Sequence, residues 1–357
     1  MNTVDHTRTA NVVGLGLIGG SIALALRERG WDVCGSDLDD GVTRRAHDEG
    51  IISEIGIAQA ADITIVAVPV TASVDVVRQM LETTSGVVTD VGSVKAPICD
   101  AIHDKRFIGG HPMAGSELEG LDGADPHMFD GAIWVLTPDV EADDENFAVV
   151  ASLVREVGSE VVALSPNEHD RLVAVVSHLP HLTAASLMSL AQDRSEEHAS
   201  LLRLAAGGFR DMTRIASGSP RIWIDICQEN RVAILEAIDD LNAALNSVRS
   251  FIEAEEKTSL ESMLQRARES RANLPGRVTD PSVLSEVRIR IPDRAGAAAE
   301  VFTLAAELGV NIANFEVVHL AEGNRGVAVV LVDSGVVDMF RGGLIARGFR
   351  PTVSALT

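Results

Sequence analysis

In the run Phe107-Ile-Gly-Gly-His-Pro-Met-Ala-Gly-Ser-Glu-Leu-Glu-Gly120, a single histidine, His111, follows two glycines at the expected end of a sheet strand. With an unperturbed pKa of about 6.5, an imidazole placed there is mostly neutral at pH 7 and can accept a proton from a hydroxyl. The competing reading is a strand-end histidine satisfied by backbone. A dinucleotide-binding pattern upstream favours chemistry, so the expected reaction couples hydride transfer to proton removal.

That pattern is Asn11-Val-Val-Gly-Leu-Gly-Leu-Ile-Gly-Gly-Ser-Ile-Ala-Leu-Ala-Leu26. A short apolar strand ends at Val13, and Gly14, Gly16 and Gly19 take the Gly-x-Gly-x-x-Gly spacing as a helix opens. Gly14 permits the tight turn, Gly16 lets backbone approach a pyrophosphate, and Gly19 lets helix and strand pack closely. The helix start adds free N–H groups and the positive end of its dipole. After a second strand, Trp31 to Gly35, Ser36-Asp37 brings a carboxylate roughly 20 residues past the glycines, where it would meet a ribose 2′-hydroxyl and repel a 2′-phosphate. NAD is therefore expected over NADP. Its expected contacts are Gly14, Leu15, Gly16, Leu17, Ile18, Gly19, Ser36 and Asp37, with Val68 and Pro69 at a further strand end.

The elements that must carry these groups alternate along the chain. Asp62-Ile-Thr-Ile-Val-Ala-Val-Pro69 is a continuous apolar run, as in a strand buried on both faces of a parallel sheet. Gly86 to Val91 and Arg106 to Gly110 are further strands, with helices near Ala72 to Glu82 and Val94 to Ile102. The fold class is α/β, and residues 1–165 form a Rossmann-type, doubly wound parallel sheet. Ligands of such sheets collect beyond the carboxyl ends of the strands, where Pro69, Ser93 and His111 all fall.

From Pro166 to about Leu274 the chain reads as successive helices, a second, all-helical domain for substrate and dimerisation over 166–274. Arg210 and Arg214 share a face there if Phe209 to Ile215 is helical. His178 and His181 are three apart, but Pro180 between them should disturb a regular helix. Ile234, Ile238, Leu241, Leu245, Val248 and Ile252 repeat in a heptad rhythm, which suits either a bundle core or a homodimer seam. Two prolines and a glycine mark a linker at 275–282. Beyond it, residues 283–357 alternate strand, helix, two strands, helix, strand, a ferredoxin-like βαββαβ module.

Composition narrows the partners. A net charge of −22 disfavours nucleic acid and anionic membranes, and it requires a locally positive pocket for any anionic substrate. No apolar stretch is read as reaching the ~20 residues of a membrane helix, and Met1 to Ala10 is unlike a signal peptide. Cys34, Cys99 and Cys227 are widely separated, which suits free thiols in a cytoplasmic protein and no zinc site.

The glycine-rich start, Asp90-Val-Gly-Ser-Val-Lys95, Gly110-His-Pro-Met-Ala-Gly115 with Glu117, Val176-Ser-His-Leu-Pro-His181 and Gly208-Phe-Arg-Asp-Met-Thr-Arg-Ile-Ala216 together resemble the arogenate/prephenate dehydrogenase family, from about Asn11 to about Leu260. The last module resembles an ACT domain, with Pro292-Asp-Arg-Ala-Gly296 as its first loop and Asn311-Ile312 opening its second strand. The first resemblance implies NAD-dependent oxidative decarboxylation of prephenate to 4-hydroxyphenylpyruvate, with arogenate as the alternative substrate. It implies that His111 is the catalytic base and that Ser93 bonds the same hydroxyl or holds the imidazole, where its plainer task is to cap a helix opening at Val94. It also implies that Arg214, with Arg210, binds substrate carboxylate, for which a bidentate guanidinium is suited. His181, Glu117 and Trp223 match residues near the pocket, while His169-Asp170 reads as an ordinary charge pair and His127 has no role. The ACT resemblance implies an amino-acid effector, L-tyrosine first, at Asp293, Gly296 and Asn311. A different hydroxyacid dehydrogenase would explain the glycines and Asp37 only, and a non-catalytic sensor of NAD and amino acids would leave His111 and Ser93 without a task.

Overall fold

Strands β1 (Thr9–Val13), β2 (Asp32–Ser36), β3 (Glu54–Ile55), β4 (Ile63–Val66), β5 (Val87–Asp90), β6 (Phe107–Pro112), β7 (Ile133–Thr137) and β8 (Glu160–Ala163) form one sheet in the order β3-β2-β1-β4-β5-β6-β7-β8. The computed structural model describes residues 7–116, 118–139, 142–197, 200–273, 284–292, 296–319 and 325–355. The chain divides into two units, Met1–Leu260 and Glu261–Thr357. The expected linker at 275–282 lies outside the described residues.

Helices α1 (Leu17–Glu28), α2 (Asp40–Asp48), α3 (Val70–Thr83), α4 (Ala96–Ala101) and α5 (Asp144–Glu156) accompany the sheet. Successive strand residues point to opposite faces, so each strand feeds two cores. Ile63, Ile65 and Ile108 pack with Leu26 of α1 and Leu153 of α5, while Val66, Val88 and Phe107 pack with Met80 of α3 and Ile98 of α4. Burial on both sides explains why β4 is largely apolar without alternation.

The sheet is parallel except at one place. β6 and β7 pair antiparallel, with His111 opposite Val135. A parallel neighbour would need a helical crossover, whereas the chain between β6 and β7 holds only a short 3-10 turn at Gly120–Gly123 among its described residues. The doubly wound parallel sheet is as expected, and the antiparallel pair, with β3, β7 and β8, is an addition to the strands read from sequence.

Helices α6 (Pro166–Val173), α7 (Leu179–Glu197), α8 (Gly207–Thr213), α9 (Pro220–Glu229), α10 (Arg231–Glu253) and α11 (Lys257–Ala272) follow. The helix is irregular ahead of Pro180, as expected, but it is not broken. The backbone widens into a π turn over Ala174–His178, in which the Leu179 N–H bonds to the Ala174 carbonyl, and the helix continues. Joined in this way, Pro166–Ser195 is a helical run long and apolar enough, at a mean hydropathy of 1.3, to cross a membrane by length and composition alone. The expectation that no such stretch exists is corrected on that point. The run carries buried His169, Asp170, His178 and His181.

In the second unit, β9 (Leu284–Pro292), α12 (Ala297–Leu308), β10 (Ile312–His319), β11 (Arg325–Asp333), α13 (Val337–Ala346) and β12 (Pro351–Ala355) give a sheet in the order β10-β11-β9-β12, antiparallel throughout. Alternate residues Val287, Ile289 and Ile291 of β9 and Ala328, Val330 and Val332 of β11 face Val301, Leu304, Phe340 and Leu344 of the two helices. This is the expected βαββαβ module.

One buried ion pair ties the first unit together at the ends of its strands. Asp90, the last residue of β5, pairs with Lys95 Nζ, both side chains being almost completely buried. Its carboxylate also accepts the N–H of Gly92 at 2.9 Å and of Gly110 at 3.1 Å. Removing one partner leaves a buried charge unpaired, so Lys95→Met should cost about 3–5 kcal/mol of unfolding free energy, measured by urea titration. An unchanged unfolding midpoint would show that the pair holds nothing in place.

Candidate functional site

A cleft of about 780 Å³ opens where β1 and β4 end, the point at which the strand order reverses direction. Its walls are Gly16 to Ile18 after β1, Ala67 to Ala72 after β4, Val91 to Ser93 after β5, Ser116 and Leu118 to Gly120, and Gly218 to Ile226 at the start of α9, apart from Ser219's neighbour Pro220 and Trp223. Two glycines are forced by packing. Gly14 has φ +92°, and a Cβ there would lie 2.3 Å from the Ala67 carbonyl oxygen; at Gly19 it would lie 1.9 Å from the Gly14 oxygen. Gly16 is different: nothing lies within 4 Å of a Cβ built on it. Its hydrogen therefore faces the open cleft at the N-terminus of α1, the cradle a pyrophosphate requires. Asp37 stands beside this turn, accepting the Leu15 N–H at 2.7 Å and the Asp39 N–H at 2.9 Å. The residues present fit a dinucleotide.

His111 is 8 % exposed. It reaches that position because Gly109 and Gly110 let β6 pass close to its neighbours: a Cβ at 109 would lie 2.4 Å from Thr137 Oγ1, and at 110 it would lie 2.7 Å from the Asp90 carbonyl oxygen. Its Nδ1 lies 2.8 Å from Nε2 of His169, whose Nδ1 lies 2.8 Å from Oδ1 of Asp170. The Asp170 carboxylate also accepts the N–H of Lys95 and of Ala96, each at 2.8 Å. Burial, followed by the neighbouring His169, Lys95 and His178, holds the His111 imidazole well below the usual histidine range. A neutral imidazole with one nitrogen occupied is a competent proton acceptor at its other nitrogen.

Ser93 is half-buried on the cleft wall. It does not cap α4, which begins at Ala96; the N–H groups of Ala96 and of Lys95 just before it bond to Asp170. His181 is buried and stacks on Trp223, ring centroids 3.5 Å apart and nearly parallel. His178 is buried too; its Nδ1 faces the Asn230 amide nitrogen at 3.2 Å, and its Nε2 is buried without a partner among the described residues. Burial pushes the His178 pKa down to about 4.

The arginines are arranged differently from expectation. α8 ends at Thr213, and Arg214 opens a 3-10 turn, Arg214–Ser217. Arg210 and Arg214 are both exposed and neither lines the cleft, whereas Arg221 at the start of α9 does. Glu117 lies outside the described residues, as does Asp293 in the second unit. Gly296 adopts φ +88° just before α12, and Asn311 is exposed just before β10. Sequence reading did not single out Arg221, gave Lys95 only a place in a motif, and assigned no task to His169 or Asp170. Nothing short of tertiary structure connects His169 with a histidine 58 positions earlier.

Sequence profiles of two domains match the chain: prephenate dehydrogenase, nucleotide-binding domain, over residues 22–163, and prephenate dehydrogenase, dimerization domain, over residues 165–266. The prephenate dehydrogenase of Bacillus subtilis is 32% identical over 338 residues, covering 89% of this chain and 90% of that protein. A crystal structure of prephenate dehydrogenase from A. aeolicus in complex with hydroxyphenyl propionate and NAD+ superposes with a TM-score of 0.71 at 31% identity, covering 77% of this chain and 100% of the other. An arogenate dehydrogenase of Synechocystis gives 0.64 at 31% identity, covering 74% and 98%.

The open space at Gly16 separates folding from binding. Gly16→Val should change unfolding free energy by no more than about 0.5 kcal/mol, yet weaken dinucleotide binding by roughly tenfold or more, measured by calorimetric titration. Equal affinity in that variant would mean the dinucleotide does not approach the turn.

Proposed function

The chain belongs to the prephenate dehydrogenase family, and from that premise we propose that it converts prephenate to 4-hydroxyphenylpyruvate and carbon dioxide with NAD as oxidant, in the synthesis of L-tyrosine. The observation that carries the site assignment is the buried, neutral His111, with one nitrogen engaged by His169.

NAD, when bound, supplies the hydride acceptor. Gly14 to Gly19, Ser36, Asp37, Val68 and Pro69 are the residues that would hold it, and Asp37 is the group that disfavours a 2′-phosphate. His111 takes the proton of the ring hydroxyl as the carbon bearing it loses hydride. Loss of the ring carboxylate as carbon dioxide leaves its bonding electrons in the ring, which becomes aromatic. The product phenol carries the proton that the substrate alcohol carried, so His111 returns what it took and ends the cycle neutral. Ser93 is the proposed hydrogen-bond partner of the hydroxyl or of the imidazole. Its half-buried place on the cleft wall, free of helix capping, supports that task.

Arg214 remains the proposed ligand of a substrate carboxylate, supported by its place on the turn leading into Gly218, a cleft residue. Arg221 joins it as a cation already on the wall, where Glu119 and Asp225 would otherwise repel an anionic substrate. Arg210, His181, Trp223 and Glu117 stay as proposed pocket residues; the stacked His181 and Trp223 would hold each other in place. Arogenate, with an amine in place of the pyruvyl keto group, is the second substrate to assay.

The chain carries the family's dimerization domain. A homodimer through α10 is the proposed state, supported by exposed Leu245 and Ile252, one heptad apart on its C-terminal half. For the second unit we propose an amino-acid sensor, L-tyrosine first, at Asp293, Gly296 and Asn311; its βαββαβ topology supports this reading. A reducing cytoplasm is the proposed compartment, in keeping with the free cysteines Cys34, Cys99 and Cys227.

His111→Asn should keep NAD and prephenate binding and lower kcat by about 10²–10⁴-fold, followed by nicotinamide absorbance; full activity would remove His111 from the mechanism. The wild-type pH profile is a separate check. The base form is lost only as pH falls through a pKa held below 6.5, so the acid limb of kcat/KM should lie below pH 6.5. A limb at or above that value would contradict the neutral, buried imidazole.

A further inference from the structure

We propose that His169 and Asp170 are positioning residues for His111: by a hydrogen-bond chain from the Asp170 carboxylate through His169, they hold His111 in the tautomer whose Nε2 is the free base. The inference rests on His111 being the base of the reaction proposed above.

The direction of the chain follows from counting protons. Oδ1 of Asp170 accepts the backbone N–H of Lys95 at 2.8 Å, and Oδ2 accepts that of Ala96 at 2.8 Å. Both oxygens act as acceptors, so the proton in the 2.8 Å contact between Oδ1 and His169 sits on His169 Nδ1. A neutral imidazole has one N–H, which leaves His169 Nε2 with a lone pair. The 2.8 Å contact between that nitrogen and His111 Nδ1 then requires the proton on His111 Nδ1. His111 Nε2 is left with a lone pair, as a general base needs. Without His169, His111 can carry its proton on Nε2 instead, and an Nε2 that already bears hydrogen has no lone pair with which to accept the hydroxyl proton.

Packing makes the chain rigid. His169 is completely buried and Asp170 is 5 % exposed. The Asp170 backbone carbonyl accepts the Asn230 side-chain amide at 2.8 Å, so the junction between α9 and α10 fixes the same residue from the other side. The rings of His111 and His169 meet edge to face, centroids 5.0 Å apart and planes at 74°, which aligns the nitrogen of one with the edge of the other. Oriented partners of this kind fix which nitrogen of a histidine carries its proton.

The test compares His169→Leu, His169→Gln, His111→Asn and the double variant His111→Asn with His169→Leu, each in the full chain. His169→Leu should lower kcat by about 100-fold, with KM for prephenate and NAD affinity within about twofold of wild type. His169→Gln should recover most of that loss, because its Oε1 can accept from His111 Nδ1 in place of the imidazole. The double variant should be no slower than His111→Asn alone, since a residue acting through His111 has nothing left to position. Nitrogen-15 NMR of histidine-labelled wild-type protein reads the tautomer without any substitution, and the Nδ1–H form of His111 is expected. An Nε2–H form overturns the inference, as does a His169→Leu enzyme with normal kcat or a glutamine variant no better than leucine. If His111→Asn is itself fully active, the assignment of His111 as base fails; if it is inactive while His169→Leu is normal, only the positioning role fails.

Discussion

Asp170 is the residue on which the geometry of the site depends. Its two carboxylate oxygens accept the N–H groups of Lys95 and Ala96, where α4 begins, and one of them also holds His169. Its backbone carbonyl accepts the side-chain amide of Asn230, the residue between α9 and α10. One buried residue thus joins the strand-end loop that carries Ser93, the helix that carries His169 and the junction between α9 and α10. A carboxylate placed against helical N–H groups is in a favourable field, so the same bonds that satisfy α4 also keep Asp170 an acceptor. That in turn sets the direction of every hydrogen bond out to His111.

The opposite side of the site is set by a second carboxylate. Asp90, paired with Lys95, accepts the N–H of Gly92 and of Gly110, and so fixes the end of β5 against β6 one residue before His111. The glycines of β6 matter for their lack of side chains, since a Cβ at either would collide with Thr137 or Asp90. Lys95 therefore acts in two ways: its ammonium pairs with Asp90 and its backbone N–H bonds to Asp170. In a chain of net charge −22, this buried cation is spent on structure, and cations for an anionic substrate must come from elsewhere, with Arg221 on the cleft wall.

The dinucleotide half was the most legible part of the sequence because its constraints are local. Gly14 is needed by a positive φ, Gly19 by the Gly14 carbonyl five residues earlier, Gly16 by open space, and Asp37 by the length of one strand-helix-strand unit; only the close pass of Ala67 over Gly14 is a long-range contact. The ferredoxin-like module was legible for a similar reason: alternation in β9 and β11 directly reports its one buried face. Three features were not legible. The antiparallel β7 depends on which edge of β6 the chain returns to. Continuity through Pro180 depends on a π turn that hydrophobic periodicity cannot report. The partnership of His111 with His169 joins positions 58 residues apart, and the dipeptide His169-Asp170 looks the same whether it lies on a surface or in a site.

The account turns on hydride leaving the carbon that bears the hydroxyl while His111 takes the hydroxyl proton. Prephenate deuterated at that carbon, incubated with the protein and NAD, tests this most directly. The account predicts deuterium in the reduced nicotinamide, one carbon dioxide released per nicotinamide reduced, and 4-hydroxyphenylpyruvate as product. Deuterium retained in the product, or prephenate consumed without reduction of NAD, would contradict it.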